Sequence, residues 1–233
     1  MTAYNGILVV DKPAGWTSHD VVKKAKNLLG GCKVGHTGTL DPSATGVLIL
    51  LVGEATKQAK RFENDTKSYL AEVTFGFATD TYDSTGTVTE TGDPSTVSIS
   101  ELKRTVEGLR GDSLQSPPPY SAVKVSGTRL YKLARKGEMR EAHPRKITID
   151  SIEADFSSFP IVRLDISCSK GTYIRSIAHD LGRKAGCPAH LSALRRTRAG
   201  EYTISDAVDF VSAAQTADGT RLAHHIRQLP GTE

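Results

Sequence analysis

One run of twelve residues gathers the groups from which chemistry could be made: Gly35-His36-Thr37-Gly38-Thr39-Leu40-Asp41-Pro42-Ser43-Ala44-Thr45-Gly46. It holds a single carboxylate, Asp41, among one histidine, three threonines and one serine. Glycine lets a backbone approach a ligand closely and adopt positive φ. Pro42 fixes its own φ and biases Asp41 towards extended geometry. The run therefore reads as a rigid mount for chemistry that needs one acid. Asp-Pro pairs also mark ordinary β-turns, and on composition alone the turn is the stronger reading.

Two further side chains stand out by position. Arg175 falls in the first turn of a predicted helix, where the helix dipole favours acids, and just off its apolar stripe. A cation placed there calls for an anionic partner; the competing reading is an exposed surface arginine. Tyr69 lies on the apolar face of a predicted strand, as an ordinary core tyrosine would. His36 has glycine and threonine for neighbours and no metal-like company.

The elements that must carry these residues are legible in outline. Ile7–Val10 is a short apolar strand. Thr17 or Ser18 caps a helix whose stripe is Val21, Val22, Ala25, Leu28 and Leu29, ended by Gly30-Gly31. The unbroken apolar run Val47–Val52 has the pattern of a strand buried on both faces, and Thr56–Phe62 that of a short helix. Tyr69, Ala71, Val73, Phe75 and Phe77 alternate with Leu70, Glu72 and Thr74 and predict a strand. Thr79–Asp93 is polar and turn-rich. Ser100 is expected to cap a helix with Leu102, Val106 and Leu109 inward. Ser116-Pro117-Pro118-Pro119 breaks the chain, and Leu130–Lys136 forms a short helix beyond it. Val162, Leu164, Ile166 and Cys168 line a strand. Ile174, Ile177, Ala178, Leu181 and Ala185 make a helical stripe stopped by Gly186. Strands and helices alternate without a regular beat, which predicts an α+β fold with a mixed, mostly antiparallel sheet flanked by helices.

Composition narrows the setting. The 233 residues are 38% hydrophobic, enough for a sizeable core, with no apolar run of membrane-spanning length. The N-terminus shows no signal-peptide pattern. Cys32, Cys168 and Cys187 are odd in number and far apart, with neither disulfide nor zinc spacing, as in a reduced cytoplasmic protein. The net charge of +4 is uneven. Arg110–Lys146 carries nine Lys/Arg against three acids, a net +6, while the other 21 basic and 23 acidic residues leave −2. A second block, Arg183–Arg198, has five Lys/Arg and no acid. Charge gathered this way suggests a polyanion partner, or a solvated face.

Six ordered blocks resemble the TruB-type pseudouridine synthases. They are Gly6–Gly15 (GILVVDKPAG) continued by Trp16–Val22, the Asp41 run, Gly53-Glu54-Ala55-Thr56-Lys57, Lys67-Ser68-Tyr69, Ser169–Ile174 (SKGTYI) leading to Arg175, and Leu194-Arg195-Arg196. The resemblance implies the pseudouridine-synthase fold over residues 1–210, with 110–147 as an inserted RNA-gripping subdomain. At its end the chain departs from the family pattern: 211–233 is expected to be a short tail, too short for the complete C-terminal RNA-binding domain that many relatives carry. The implied activity is isomerisation of uridine 55 in the T arm of tRNA, an RNA in which the target base must leave the stack. Asp41 would attack ribose C1′ or uracil C6, or stabilise the ion formed. Arg175 would pair with Asp41 and keep it ionised. Tyr69 would stack on the base, Leu194 would pack beneath it, His36 would help extrude the nucleotide, and Asp83 would contact displaced nucleotides. Asp83 reads equally as a turn cap and Leu194 as plain core. Lys124, Arg129, Lys132, Arg135 and Lys136 would grip the RNA. No cofactor, metal, membrane or protein partner is implied, and a monomer is expected. The alternatives are a guide-RNA-directed synthase and a non-catalytic tRNA-binding or folding protein. A glycosidase would require a second positioned acid.

Overall fold

The computed structural model describes residues 4–138, 140–215 and 220–229. It divides the chain into two compact units, residues 1–68 with 195–233, and residues 69–194.

The first unit is built on strands β1 (Gly6–Lys12), β2 (Val34–His36) and β3 (Thr45–Val52), with helix α1 (Ser18–Leu28) between β1 and β2. The apolar residues of β3 are buried from Val47 to Val52, as the unbroken run predicts. β1 runs antiparallel to β3, with Gly6 opposite Val52 and Lys12 opposite Gly46. Thr17 caps α1 in a capping box: its side chain accepts from the Asp20 amide at 3.0 Å, and its amide donates back to Asp20 at 2.9 Å. The predicted helix over 56–62 is a longer 3₁₀ segment, Gly53–Phe62. The C-terminal residues are structural here. Phe210 is fully buried and meets Trp16 edge-on at 6.0 Å. Ile7 and Arg227 exchange two backbone bonds of 2.8 Å.

The second unit opens in strand β4 (Lys67–Phe75), whose Tyr69, Ala71, Val73 and Phe75 are buried. Past Gly76, Phe77 belongs to β5 (Phe77–Thr79), which pairs with the wholly exposed β6 (Val88–Thr91). Helix α2 (Ile99–Glu107) is capped by Ser98 rather than Ser100, because the Ser98 hydroxyl is the one that accepts from the Glu101 amide. Leu102 and Val106 are buried, whereas Leu109 lies beyond the helix end and is half-buried. β7 (Gly111–Gln115) follows, then a hairpin of β8 (Lys124–Val125) and β9 (Thr128–Arg129), and helix α3 (Leu130–Ala134). β10 (Arg145–Asp155) lies antiparallel between β7 and β11 (Ile161–Cys168). Helix α4 (Ile174–Ala185) ends at Gly186, whose φ of 71° supplies the left-handed cap. β12 (Ala189–Ala199) carries the chain back to the first unit, where it runs parallel to β3 at Arg195 and Arg196. β13 (Tyr202–Thr203) and β14 (Val208–Asp209) complete that unit, with β14 parallel to β1. The architecture is α+β with mixed pairing and a majority of antiparallel ladders, as the sequence predicts.

Candidate active site

In the first unit the Asp41 loop is held by side chains that reach its backbone. The Ser18 hydroxyl accepts from the Leu40 amide at 2.9 Å and donates to the Leu40 carbonyl at 3.1 Å. The Pro42 carbonyl accepts from the Gly15 amide at 2.8 Å and from the Lys12 ammonium at 3.2 Å. Arg196 donates through Nε to Val47 O at 2.7 Å and through its terminal nitrogens to Gly38 O at 3.1 Å and Thr39 O at 3.5 Å. Sheet register explains why these two cations meet here: Gly46 of β3 lies between Lys12 on β1 and Arg196 on β12. Its φ is 102°, and a Cβ there would collide with the Arg196 backbone, so the position requires glycine. Asp41 itself is half-buried.

Lys12 is fully buried, and it also donates to Trp16 O at 2.6 Å and Pro13 O at 2.9 Å. Burial pushes its ammonium down to about 8 against the opposing pull of the Asp41 carboxylate. Neither Lys12 nor Arg196 stands out as a buried staple from charge alone. The available signal for Lys12 is its parity with Leu8 and Val10 in β1. Arg195 caps the same region with a two-point pair to Asp11, at 2.6 and 3.1 Å. With Arg198 donating to the Ser68 hydroxyl at 3.2 Å, the second basic block spends three of its arginines on the protein itself.

His36 is half-buried, and its Nδ1 is buried with no hydrogen-bond partner among the described residues. Burial, with Arg196 nearby, lowers its pKa and favours the neutral imidazole.

In the second unit Arg175 is not a surface arginine; it is 5% exposed. Nη1 donates to Thr81 O and Nη2 to Tyr120 O, each at 3.0 Å, and Nη1 lies 3.6 Å from the Asp83 carboxylate. Asp83 is buried and does cap its turn: it accepts from the Thr85 amide at 2.9 Å and from the Thr81 and Thr85 hydroxyls. One of its oxygens serves the turn and the other faces Arg175. Between Thr81 and Asp83, Tyr82 takes φ 65° and stacks on His179. Such backbone strain costs of the order of 1–3 kcal/mol. Tyr69 is buried and Leu194 half-buried.

The basic segment has more internal structure than its pattern suggests. Val123, Leu130 and Ala142 form a small buried cluster with Val125 and Tyr173 against it. Lys124, Arg129, Lys132, Arg135 and Lys136 are all exposed around it. Among the described residues no group of three or more His, Cys, Asp or Glu could hold a metal ion, and no helix is long and apolar enough to cross a membrane.

The family model for the TruB family pseudouridylate synthase N-terminal domain matches residues 26–174. That for the tRNA pseudouridylate synthase B C-terminal domain matches residues 175–229, beginning inside α4. The chain is similar to tRNA pseudouridine synthase B of Syntrophotalea carbinolica, 46% identical over 232 residues, covering 97% of this chain and 76% of the relative. It is also similar to tRNA pseudouridine synthase B of Bacillus velezensis, 43% identical over 232 residues, covering 95% and 74%. Among solved structures it resembles a chain of a Cbf5–Nop10–Gar1 complex with a TM-score of 0.74 and 28% identity, over 97% of this chain. This chain spans about 60% of the length of that one.

Proposed function

Because the chain belongs to the TruB family of pseudouridylate synthases, we propose that it converts uridine 55 in the T arm of tRNA to pseudouridine. The reaction breaks the bond from ribose C1′ to uracil N1 and forms one from C1′ to C5. The C5 proton leaves and N1 gains one, with no net oxidation or reduction. Asp41 is the reacting carboxylate, as nucleophile or as stabiliser of the ion formed. The observation that carries this reading is the Asp41 loop itself, whose flanking carbonyls are held by Lys12, Ser18 and Arg196. A loop already fixed before RNA arrives keeps its acid in place without reorganisation.

The remaining roles follow from chemistry and from the family. Tyr69 stacks on the extruded uracil and Leu194 packs beneath it. Arg175 supplies a fixed positive charge to the reacting centre. His36 and Asp83 hold the displaced nucleotides, and the exposed cations of 124–136 grip the phosphates. The enzyme works as a monomer in the cytoplasm without a protein partner, cofactor or metal. The relatives at 46% and 43% identity that are named tRNA pseudouridine synthase B support tRNA as the substrate.

The test is to incubate the purified chain with an unmodified T-arm stem-loop transcript and map pseudouridine by reverse transcription after carbodiimide treatment. Product at position 55 alone is expected. Product that forms only when guide RNA is added would replace this reading with the guided one. Tight binding without product would make the chain a tRNA-binding protein.

A further inference from the structure

We propose that Tyr82 and His179 are positioning residues for Arg175: their stacked rings hold the loop 79–86 in the conformation that presents the Thr81 carbonyl and the Asp83 carboxylate to the guanidinium. The proposal rests on the reading of Arg175 as an active-site group.

Arg175 and His179 are four residues apart on α4, so their side chains leave the same face one turn apart. Both reach the same loop. Arg175 takes the residues on either side of Tyr82, donating to Thr81 O at 3.0 Å and facing Asp83 at 3.6 Å. His179 takes Tyr82 itself, with ring centroids 3.8 Å apart and planes 6° from parallel.

The backbone of Tyr82 explains why a ring is needed. Its φ of 65° is a left-handed conformation that suits glycine and that an aromatic residue seldom adopts. Strained residues persist where the surroundings over-determine them, and here they do. The Tyr82 amide donates to Thr79 O at 3.2 Å, the Leu191 amide donates to Tyr82 O at 3.0 Å, and the Ser84 amide donates to Leu191 O at 3.1 Å. A glycine would satisfy that backbone without strain, so what tyrosine adds is its ring. His179 adds the complementary face: its Nδ1 is buried with no hydrogen-bond partner among the described residues.

The test compares variants that remove a ring with variants that keep the stack. Tyr82→Gly preserves the left-handed backbone and deletes only the ring; His179→Ala deletes the other face. Tyr82→Phe and His179→Phe retain both aromatic planes. Three quantities are measured: the single-turnover rate on the T-arm stem-loop, the Kd for that RNA, and amide exchange at Ser84 and Thr85 in the free protein. Tyr82→Gly and His179→Ala are expected to slow the rate about tenfold to a hundredfold, as small misplacements in an active site do. Their Kd should stay within about twofold, and exchange at Ser84 and Thr85 should accelerate. The two Phe variants should match the parent in all three. Folded Gly and Ala variants that keep the parental rate would overturn the proposal, as would a loss confined to RNA affinity. If the parent makes no pseudouridine, the functional reading fails, and exchange still decides. Acceleration in Gly and Ala but not in Phe upholds the clamp, and equal exchange in all four rejects it.

Discussion

Lys12, Arg195 and Arg196 on one side, and Lys124, Arg129, Lys132, Arg135 and Lys136 on the other, are like charges put to opposite uses. The first group turns inward. Lys12 and Arg196 are buried and spend their donors on backbone carbonyls, and Arg195 closes a two-point pair on Asp11. The second group is exposed around a small apolar cluster. Buried cations with satisfied donors fix a backbone, since each lost partner would strand a polar group. Exposed cations are left for a polyanion, and their effect depends on salt. Charge density along a sequence therefore does not measure charge offered to solvent.

If this division holds, the two groups fail in different ways. The largest effect is expected from Asp41→Asn, which removes the group the inward cations serve. Turnover should fall at least about 10⁴-fold while Kd for the T-arm RNA barely moves; appreciable residual product in single-turnover assays would take Asp41 out of the chemistry. Next is Arg196→Met, which leaves Val47, Gly38 and Thr39 without their shared donor. A loss of about 3 kcal/mol is expected, read calorimetrically as a Tm lower by roughly 6–12 °C. An unchanged Tm would show that this arginine staples nothing.

Neutralising Lys132, Arg135 and Lys136 together should do the reverse. Stability should be unchanged, Kd should weaken, and the log–log salt slope should flatten by up to about one unit per lost phosphate contact. The same slope in the triple variant would make the segment a bystander.

The smallest effect concerns Lys12. Its folded pKa of about 8 lies below the ordinary 10.5. Between those values the unfolded chain retains a proton that the folded chain has lost, so this group's contribution to stability rises with pH across the window. Its role as an ammonium brace on Pro42 fades over the same range. The single-turnover rate should fall by about tenfold for each unit above pH 8, while the melting temperature does not drop with that midpoint. A flat rate profile to pH 9 would show that the brace does not need its charge.

The parts of the fold that announce themselves do so by apolar periodicity or by capping chemistry. The run 47–52, the alternation from Tyr69 to Phe75, the stripe of α4 with its terminal Gly186, and the Thr17 cap are all of this kind. Two of the strands that stay hidden are rich in polar residues. β6 is exposed at every position, and β12 carries Arg195, Arg196 and Arg198 where a strand would ordinarily show branched apolar residues. Their pairing is decided by tertiary neighbours, which local pattern cannot report. The site divides in the same way. Asp41, Tyr69 and Arg175 are recognisable through blocks that resemble a family, whereas Lys12 and Arg196 read as surface charge until strand register brings them to either side of Gly46. Tyr82 is a plain turn residue in the sequence, and only its backbone angle and its neighbour on α4 distinguish it.

Because Val123, Leu130 and Ala142 bury one another, the surface they support is a place where the chain can change at little cost. Substitutions at the exposed cations disturb none of the backbone staples described above, so on the proposed reading the preference for RNA can change while the acid-bearing loop stays as it is. The limit is set at the root of the segment, where the Tyr120 carbonyl is tied to Arg175. A protein engineer grafting a different grip onto this frame would have to leave that junction untouched and could rewrite the tip.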